Sequence, residues 1–400
     1  MKLWKRIFCW TMLGAMCLPL WGCAAARAGE TVDYMKEITP EPVSGKKQGD
    51  PAARADFAVS LLKNSRESGN CVLAPGSVCT VLAMLTNGAA GETRAQMETL
   101  LGGRIWDING TFTEKPGPEV LKDDALWLNR KENFEVREEF LRTNADCYGA
   151  EIYGAPFGEE TRQDINRRVS TATKGRIPEL LDSLDPAAAM YLVSALSFDA
   201  EWETPFREEQ TEEGVFRGAE GDEPARMMEC RDTGYLEDES AAGFLKNYRG
   251  GRYCFMALLP REDLTLEDYL KNLTGEQLLE TVGQAQEIPV KITMPKFETG
   301  TALELSSVLS SMGMDLAFSE DADFSGISGT ELRIGRILHR TQLKVDELGT
   351  EAGAAAAAEV VFKCAAIHEK EITLDRPFLM GIFDREQEDF LFLGVIDSVK

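Results

Sequence analysis

The apolar and polar positions of the chain recur with more than one period, which predicts helices and strands mixed along the polypeptide. The pair Asp50-Pro51 is typical of a helix start, because aspartate accepts hydrogen bonds at the N-cap and proline fits the first helical position. Phe57, Leu61 and Leu62 follow at helical spacing and are expected to form the buried face of that helix.

A different pattern lies near the C-terminus, in the stretch DELGTEAGAAAAAEVVFK over residues 346–363. Alanine is the best helix former, so a short surface helix is one interpretation. As an extended strand, the stretch would instead carry small or apolar side chains on one face, because side chains alternate between two faces. That face would hold Thr350, Ala352, Ala354, Ala356, Ala358 and Val360, and the other would hold Glu351, Gly353, Ala355, Ala357 and Glu359. Taken alone, the stretch leaves both conformations open.

The N-terminus has the pattern of an exported protein. Lys2, Lys5 and Arg6 precede an apolar run over residues 7–21, which is short for a membrane span of about 20 residues. Residues 1–22 are therefore predicted to be a signal peptide. The sequence before Cys23 resembles a bacterial lipobox, which predicts lipidation of Cys23 and attachment to the outside of the bacterial membrane. Cleavage after Ala28, giving a secreted protein, is the alternative.

Prolines, glycines and scattered charges without an apolar period predict a lipidated cysteine and a flexible tether over residues 23–50. The rest of the chain shows no second linker and no internal repeat, which predicts a single domain over residues 51–400. Loss of the three signal cations changes the formal net charge from -24 to -27. So acidic a chain argues against binding to nucleic acid and favours basic partners.

Few residues are available for catalysis. The chain has only two histidines, His339 and His368, and it lacks a G-x-S-x-G motif, a phosphate-binding loop and a zinc-protease helix motif. No clustered metal ligands appear in the sequence. The protein is therefore not predicted to be an enzyme, and no cofactor or metal is expected.

Six cysteines follow Cys23, and their dispersed spacing does not suggest a disulfide framework. The first five are interpreted as small buried hydrophobic residues. Cys364 differs because it follows the alanine stretch, where its thiol would be either a redox-sensitive group or simply tolerated. The six are Cys71, Cys79, Cys147, Cys230, Cys254 and Cys364.

Nine segments, in order along the chain, resemble segments of the serpin family. The resemblance covers roughly residues 50–400, and one of the segments leads directly into the alanine stretch. The segments are NCVLAPGSVCTVLAMLTNGAAGETRAQM (70–97), INRRVSTATKGRIPELL (165–181), LVSALSFDAEWETPF (192–206), ARMME (225–229), FMALLP (255–260), SSMGMDLAFSEDADFSGIS (310–328), ILHRTQLKVDELGTEA (337–352), RPFLMGI (376–382) and FLFLGVI (390–396).

This resemblance implies an α+β serpin fold. It has a large central, mostly antiparallel sheet, two smaller sheets, eight to nine helices and an exposed reactive-centre loop at about residues 347–370. It also implies suicide inhibition: a protease attacks the loop, an acyl-enzyme forms, and the freed half of the loop enters the large sheet before the ester is hydrolysed. Gly349 would supply the torsion of the hinge. The hinge residues are Glu347, Gly349, Thr350, Glu351, Ala352, Gly353, Ala354 and Ala355.

The spacing from the hinge in inhibitory serpins implies a reactive bond between Lys363 and Cys364, with residues 364–367 as the alternative. Lysine at that position suits a trypsin-like protease. The expected partner of this monomer is therefore a serine protease, with a cysteine protease as the alternative. A non-inhibitory binding module with the same fold is the second hypothesis. The small residues of the hinge favour the inhibitor.

The resemblance also places a polar cluster beneath the opening point of the large sheet, at Ala74, Ser77, Ser194 and His339, with Trp202 on the central strand. Ala74 and Ser194 stand where the family has a serine and an asparagine, which predicts the loss of hydrogen-bond partners that gate the sheet. His339 is expected to be a satisfied buried histidine that holds strands together.

Overall fold

A computed structural model describes residues 30–41, 43, 49–110, 116–131, 134–350 and 369–400 of the chain. These residues form an α+β fold, as predicted, and their strands form two sheets. The helices of the described part are α1 (Pro51–Ser65), α2 (Pro75–Thr86), α3 (Gly91–Leu100), α4 (Ile105–Ile108), α5 (Glu138–Tyr148), α6 (Glu159–Ala172), α7 (Leu266–Asn272), α8 (Gly275–Gly283) and α9 (Ser306–Leu309).

Seventeen strands are present in the same residues. They are β1 (Val32–Asp33), β2 (Cys71–Leu73), β3 (Val120–Asn129), β4 (Glu151–Ala155), β5 (Met190–Phe198), β6 (Ala200–Glu201), β7 (Thr211–Gly218), β8 (Gly221–Glu237), β9 (Ala241–Asn247), β10 (Tyr253–Pro260), β11 (Gln286–Pro295), β12 (Phe297–Glu304), β13 (Ile334–Val345), β14 (Gly349–Thr350), β15 (Lys370–Thr373), β16 (Phe378–Asp384) and β17 (Asp389–Ile396).

The large sheet has the strand order β1-β4-β3-β5-β13-β14-β6, and β12 pairs with the other edge of β13. Most of its pairings are antiparallel, as predicted, but β3 with β4 and β5 with β13 are parallel. Along β13, residues from Ile334 to Gln342 face Met190 to Ser197 of β5. The sheet is therefore closed along this line in the described structure.

The remaining strands form one sheet instead of the two smaller sheets that were expected. Its order is β15-β11-β8-β9-β10-β16-β17-β2, with β7 on β8. The reason is the length of β8, whose 17 residues pair first with β7 and β11 and, at the end, with β9. Strand β8 therefore joins two smaller groups of strands into one hydrogen-bonded sheet.

Apolar side chains fill both faces of the large sheet. On one face, α6 packs Ile165 and Val169 over Trp127 of β3. On the other, Leu126 and Leu192 belong to the main core with α1 and α2. Helix α6 therefore lies over strands that border the line between β5 and β13.

The first helix begins as the sequence predicts. The Asp50 side chain accepts a hydrogen bond from Ala52 N, and Pro51 is the first helical residue. Phe57, Leu61 and Leu62 are all buried. The cap and the apolar stripe are local signals, so they were sufficient to place this helix.

Residues 30–41 pack against the body of the domain, although the sequence had suggested a flexible tether there. Within this stretch, β1 pairs with β4 at the edge of the large sheet. Cys23 and the predicted signal peptide lie outside the described residues. In the part of the chain that is described, no helix is long and apolar enough to cross a membrane.

Candidate functional site

The candidate site lies where the large sheet opens at one end. Past Gln342, β13 no longer pairs with β5, and the chain turns back after Val345 to form β14. Strand β14 lies between β13 and β6, with Thr350 opposite both Val345 and Ala200. The two-residue strand β14 thus already lies in the large sheet, at the end where β13 no longer pairs with β5.

The turn into β14 is held by backbone groups and by one tryptophan. Asp346 N donates to Gly349 O over 3.0 Å, and Leu348 N donates to the Asp346 carboxylate over 3.0 Å. Trp202 donates its Nε1–H to Asp346 O over 3.0 Å and its backbone N–H to Leu348 O over 2.9 Å. Trp202 therefore fixes this turn, and it does not belong to the polar cluster in which the sequence analysis had placed it.

Glu347 is anchored in the protein, although the exposed loop was expected to begin with it. The residue is buried, with 4% of its surface exposed. One carboxylate oxygen lies 2.6 Å from Lys296 Nζ, and the other accepts a hydrogen bond from Thr211 Oγ1 over 2.9 Å. Burial acts to raise the pKa of this carboxyl, but the bonds from Lys296 and Thr211 outweigh it and hold the pKa below its ordinary value. The ionised group thus pins the start of the turn.

Gly349 is required for close approach in the described structure. It is not among the glycines with positive φ here, and the hinge torsion expected of it during insertion stays a prediction. A Cβ at this position would lie 2.1 Å from Ala200 O, on the paired strand β6. Only glycine therefore allows β14 to pair at this place without a shift of the backbone.

Thr350 is buried, with 0% of its side chain exposed. Its hydroxyl lies 2.6 Å from Tyr248 OH, and the Tyr248 ring stacks on Trp202 with centroids 4.4 Å apart. This is the inward direction that the strand interpretation assigned to Thr350. Thr350, the first residue of the predicted small face, is therefore directed into the protein from strand β14.

Several predicted site residues lie outside the described part of the chain. These are Glu351, Ala352, Gly353, Ala354, Ala355, Lys363, Cys364 and the lipidation site Cys23. The chain is described again from Glu369, and Lys370 already begins β15, which pairs in parallel with β11. The segment between the sheets is thus shorter at both ends than the predicted loop of residues 347–370.

A buried chain of hydrogen bonds crosses the line between β5 and β13. His339 on β13 faces Ser194 on β5, and Ser194 faces Asp124 on β3. His339 Nδ1 lies 3.0 Å from Ser194 Oγ, which lies 2.8 Å from Ser77 Oγ on α2. Ser77 donates in turn to the Asp124 carboxylate, whose other oxygen accepts a hydrogen bond from Lys122 over 2.8 Å. Three strands and one helix are connected in this way.

The backbone fixes the direction of this chain. Ala74 N donates to His339 Nε2 over 3.0 Å, so Nε2 is an acceptor and the ring proton is on Nδ1. From there, each hydroxyl donates to the next group and the chain ends on Asp124. Burial lowers the pKa of the His339 imidazole to about 4, so the ring is neutral at pH 7.

The cluster therefore differs from the sequence-based prediction in one respect. Ala74 and Ser194 do not leave it without hydrogen bonds, because the Ala74 backbone and the Asp124 carboxylate supply them. The sequence analysis missed Asp124 and Lys122. A signal for them existed, since two adjacent aspartates follow a lysine within the otherwise apolar strand β3.

The described residues offer few other reactive or metal-binding groups. Cys71, Cys79, Cys147, Cys230 and Cys254 are free and buried, as predicted. Burial raises the pKa of the Cys71 thiol to about 11, which leaves it unreactive at neutral pH. Within the described ranges, no group of three His, Cys, Asp or Glu side chains is placed to hold a metal ion.

Comparisons with known proteins agree with this architecture. The family described as "Serpin (serine protease inhibitor)" matches residues 52–398. The mouse protein named leukocyte elastase inhibitor A is 32% identical over 375 residues, which are 87% of this chain and 98% of that protein.

Two solved structures of the thermophilic serpin tengpin are also similar. Its native state has a TM-score of 0.87 and 34% identity, covering 92% of this chain and 100% of that chain. Its latent state has a TM-score of 0.76 with 32% identity, covering 90% and 100%. Human thyroxine-binding globulin in complex with its hormone has a TM-score of 0.78 at 25% identity, covering 88% of this chain and 98% of that one. The described structure thus resembles the native form of tengpin more closely than the latent form.

Proposed function

The chain belongs to the serpin family, and from this premise we propose that it inhibits a serine protease by acting as a suicide substrate. The observation that carries this proposal is the placement of β14. Gly349 and Thr350 are already paired between β13 and β6, and the small residues that follow continue the same strand pattern. Insertion of the loop is therefore an extension of a strand that has already begun.

The proposed reaction begins when the protease takes the loop as substrate. Its serine attacks the carbonyl of Lys363, the peptide bond to Cys364 breaks, and the new amine of Cys364 leaves with the C-terminal peptide. Lys363 remains bound to the protease as an ester. The residues after Thr350 then pair between β5 and β13, and they carry the protease with them. Distortion of the protease prevents water from releasing it.

Insertion is favourable because the new strand gains a partner on each side. At roughly 0.5 to 1.5 kcal/mol net for each hydrogen bond, a strand of about fifteen residues yields on the order of 10 kcal/mol. That gain must exceed the cost of separating β5 from β13. It must also exceed the cost of breaking the contact between His339 and Ser194, which spans the same line.

The buried polar cluster acts in this proposal as the gate. Separation of β13 from β5 pulls His339 away from Ser194 and leaves polar groups without partners until the new strand is in place. The gate therefore raises the activation barrier to spontaneous insertion of the loop. It does not contribute to the stability of the inserted form. Cleavage of the loop removes the constraint at its far end, and the strand can then enter.

Lysine at the reactive bond supports a trypsin-like target. The N-terminal sequence supports export and lipid attachment through Cys23, which would place a monomeric inhibitor on the outside of a bacterial cell.

The thyroxine complex of a similar protein raises binding without inhibition as a second function. The buried Thr350 and the small side chains after it favour inhibition, because a bulky hinge would not enter the sheet.

The insertion step can be tested without knowing the target. The purified domain is cut once within residues 351–368 by a non-target protease, and its thermal unfolding is compared with that of the intact protein. A gain on the order of 10 kcal/mol corresponds to a rise on the order of 20 °C in the unfolding temperature. An unchanged or lower unfolding temperature after cleavage would exclude insertion.

A further inference from the structure

A buried acidic side chain lies between the large sheet and the helix that covers one of its faces. Asp123 is on strand β3, on the same face as Trp127, and only 3% of the residue is exposed. Helix α6 covers this face, and Arg168 Nη2 of the helix lies 3.5 Å from the Asp123 carboxylate. The same guanidinium forms an ion pair with Glu151 on strand β4. One arginine of α6 is therefore shared by two carboxyl groups of the sheet.

These two carboxyl groups, Asp123 and Glu151, are called the acid pair. They lie within hydrogen-bond reach of each other, and a hydrogen bond between two carboxyl groups requires a proton on one of them. Within the described ranges, the buried Oδ2 atom of Asp123 has no hydrogen-bond partner. An ionised oxygen that is buried without a donor is unfavourable. A proton on the acid pair makes Asp123 a donor to Glu151 and leaves one negative charge beside Arg168.

The surroundings of Asp123 favour retention of this proton near neutral pH. Burial and, next, the Glu151 carboxylate raise the pKa of Asp123 from 3.8 to about 7, whereas Arg168 acts in the opposite direction. Asp124, on the same strand, also raises this pKa. The residue opposite Asp123 on strand β5 is Ala195, which does not titrate. The acid pair and Arg168 therefore change from a neutral group to a net negative group as the pH rises through about 7.

Apolar and aromatic contacts complete the seat of α6 on the sheet. Ile165 and Val169 are buried on the same face as the acid pair. The Arg168 guanidinium lies 4.1 Å from the centre of the Tyr153 ring, and burial raises the pKa of this phenol far above its ordinary value. Tyr153 is therefore neutral throughout the pH range in which Asp123 titrates.

The contacts of α6 matter for the opening of the sheet. The segment that follows the helix crosses the line between β5 and β13, because Leu181 belongs to the same apolar cluster as Leu338 of β13. In addition, Arg340 of β13 donates to Glu179 O over 2.7 Å. A new strand between β5 and β13 moves them apart by about 4.8 Å. Helix α6 is tied to β3 and β4 through Arg168, so it must shift relative to β13 or release the sheet.

We propose that the acid pair is a proton-operated latch between helix α6 and the large sheet. With the proton bound, Asp123 and Glu151 are joined to each other and to Arg168, and the helix is held on the sheet. With the proton lost, two carboxylates compete for one guanidinium, and the helix separates more readily. The latch does not depend on the function proposed above. Its consequence, faster entry of the loop as the pH rises from 6 to 8, rests on that function.

The direction of the effect follows from proton linkage. In the docked state, Asp123 binds its proton more tightly than a carboxyl group in water does. Docking of α6 is therefore strongest at low pH, and it weakens as the pH rises from about 4 to about 7. Linkage to one proton changes the ratio of undocked to docked helix about tenfold between pH 6 and pH 8.

Hydrogen–deuterium exchange of the α6 amides measures the latch without any protease. The chain without residues 1–23 is labelled at several pH values, and each rate is corrected for intrinsic exchange. We expect protection of residues 159–172 to fall about tenfold from pH 6 to pH 8. In Asp123→Asn, whose amide still donates to Glu151, protection should not change with pH. Glu160→Gln, at an exposed position on α6, is the control and should behave like the parent chain. Equal pH dependence in the parent and in Asp123→Asn would overturn the proposal.

A second variant keeps the test valid if Asp123→Asn does not fold. The Glu151 side chain is 45% exposed, so Glu151→Gln is well tolerated. Loss of the neighbouring negative charge should move the fall in protection to lower pH by about one unit. A transition that stays at the same pH would contradict the proposal. His339 and the buried Asp389 also titrate, but they are the same in every variant, so their effects cancel.

The consequence for the loop is measured on the same chains. Each is incubated at pH 6 or pH 8 and returned to one common pH, and the resistance of residues 351–368 to a nonspecific protease is then followed. The parent should become resistant about tenfold faster at pH 8, and Asp123→Asn at the same rate at both pH values. If helix protection follows the pH but no protease is ever trapped, the proposed inhibition fails and the latch stands.

Discussion

Thr350 is the residue on which the change from loop to strand depends. It is buried against Tyr248 in the described structure, and insertion keeps it buried. Burial of an unpaired cation at this place would cost several kcal/mol. A bulky or charged side chain is also expected to disfavour insertion at the alanines that follow, because each of them must pass between two strands. The cost is expected to decrease along the loop.

We therefore expect Thr350→Arg to turn the inhibitor into a substrate. More than about tenfold more inhibitor should be cleaved for each trypsin molecule trapped, because slower insertion gives the ester time to hydrolyse. The measurement is titration of trypsin with each variant, followed by denaturing electrophoresis. Thr99→Arg, which adds the same charge at an exposed position on α3, is the control and should titrate like the parent chain. Equal trapping by both variants would show that insertion does not depend on the side chain at position 350.

Because of His339, the stability of the native form is expected to depend on pH below about 6.5. Its pKa is lowered to about 4 by burial, below the 6.5 of a free histidine, so the unfolded chain binds the proton more tightly. The neutral ring is fully stabilising above pH 6.5. Stability is lost as the pH falls from 6.5 towards 4, by up to about 1.4 kcal/mol for each pH unit.

The corresponding prediction concerns His339→Gln, which removes the titrating ring. The variant should be less stable than the parent at pH 7, and the difference should shrink as the pH falls to 5. Urea unfolding at several pH values measures both. Buried Asp123 titrates in both proteins, so its effect cancels in the comparison. A stability difference that does not change with pH would mean that His339 is not the group responsible.

At the scale of elements, β14 shows which structural features could be predicted from the sequence and which could not. The alternation correctly predicted that Thr350 points inward from a strand, because side-chain parity is a local property. The pattern did not show that the strand starts inside the sheet, since this depends on the distant partners Ala200 and Trp202. For the same reason, it did not show that Gly349 is needed for close approach to Ala200.

Gly349→Ala tests the role of β14 directly. The added Cβ would lie 2.1 Å from Ala200 O, so we expect β14 to separate from β6 at a cost of about 1 to 3 kcal/mol. Limited proteolysis should then cut between residues 346 and 350, where the parent chain resists. Gly329→Ala, with no atom within 4 Å of the added Cβ, is the matched control. Resistance of the Gly349 variant equal to that of this control would mean that the pairing of β14 is not constrained.

At the scale of the whole molecule, the fold could be predicted because its segments are recognisable one at a time. The mixture of helices and strands, the start of α1 and the buried cysteines follow from local pattern. The pairing of β1 with β4 and the contacts of the gate could not be predicted in this way. Val32 pairs with Gly154, and Ser77 bonds Asp124 across 47 positions, so neither contact leaves a signal within one segment.

In the proposed mechanism, the energy for inhibition comes from completing the large sheet. The sheet is closed between β5 and β13 in the described structure, and residues 351–368, which would complete it, lie outside the described part of the chain. In that mechanism, the gate and the turn at Glu347 both act on the entry of the loop. Their combined effect sets how long the native form survives before a protease reaches it.

The most direct measurement mixes the domain, without residues 1–23, with trypsin and follows the products by denaturing electrophoresis and mass spectrometry. The account predicts a covalent complex of the two proteins and a released C-terminal peptide that begins at Cys364. Complete cleavage of the loop without any covalent complex, with trypsin and with a panel of serine and cysteine proteases, would contradict it.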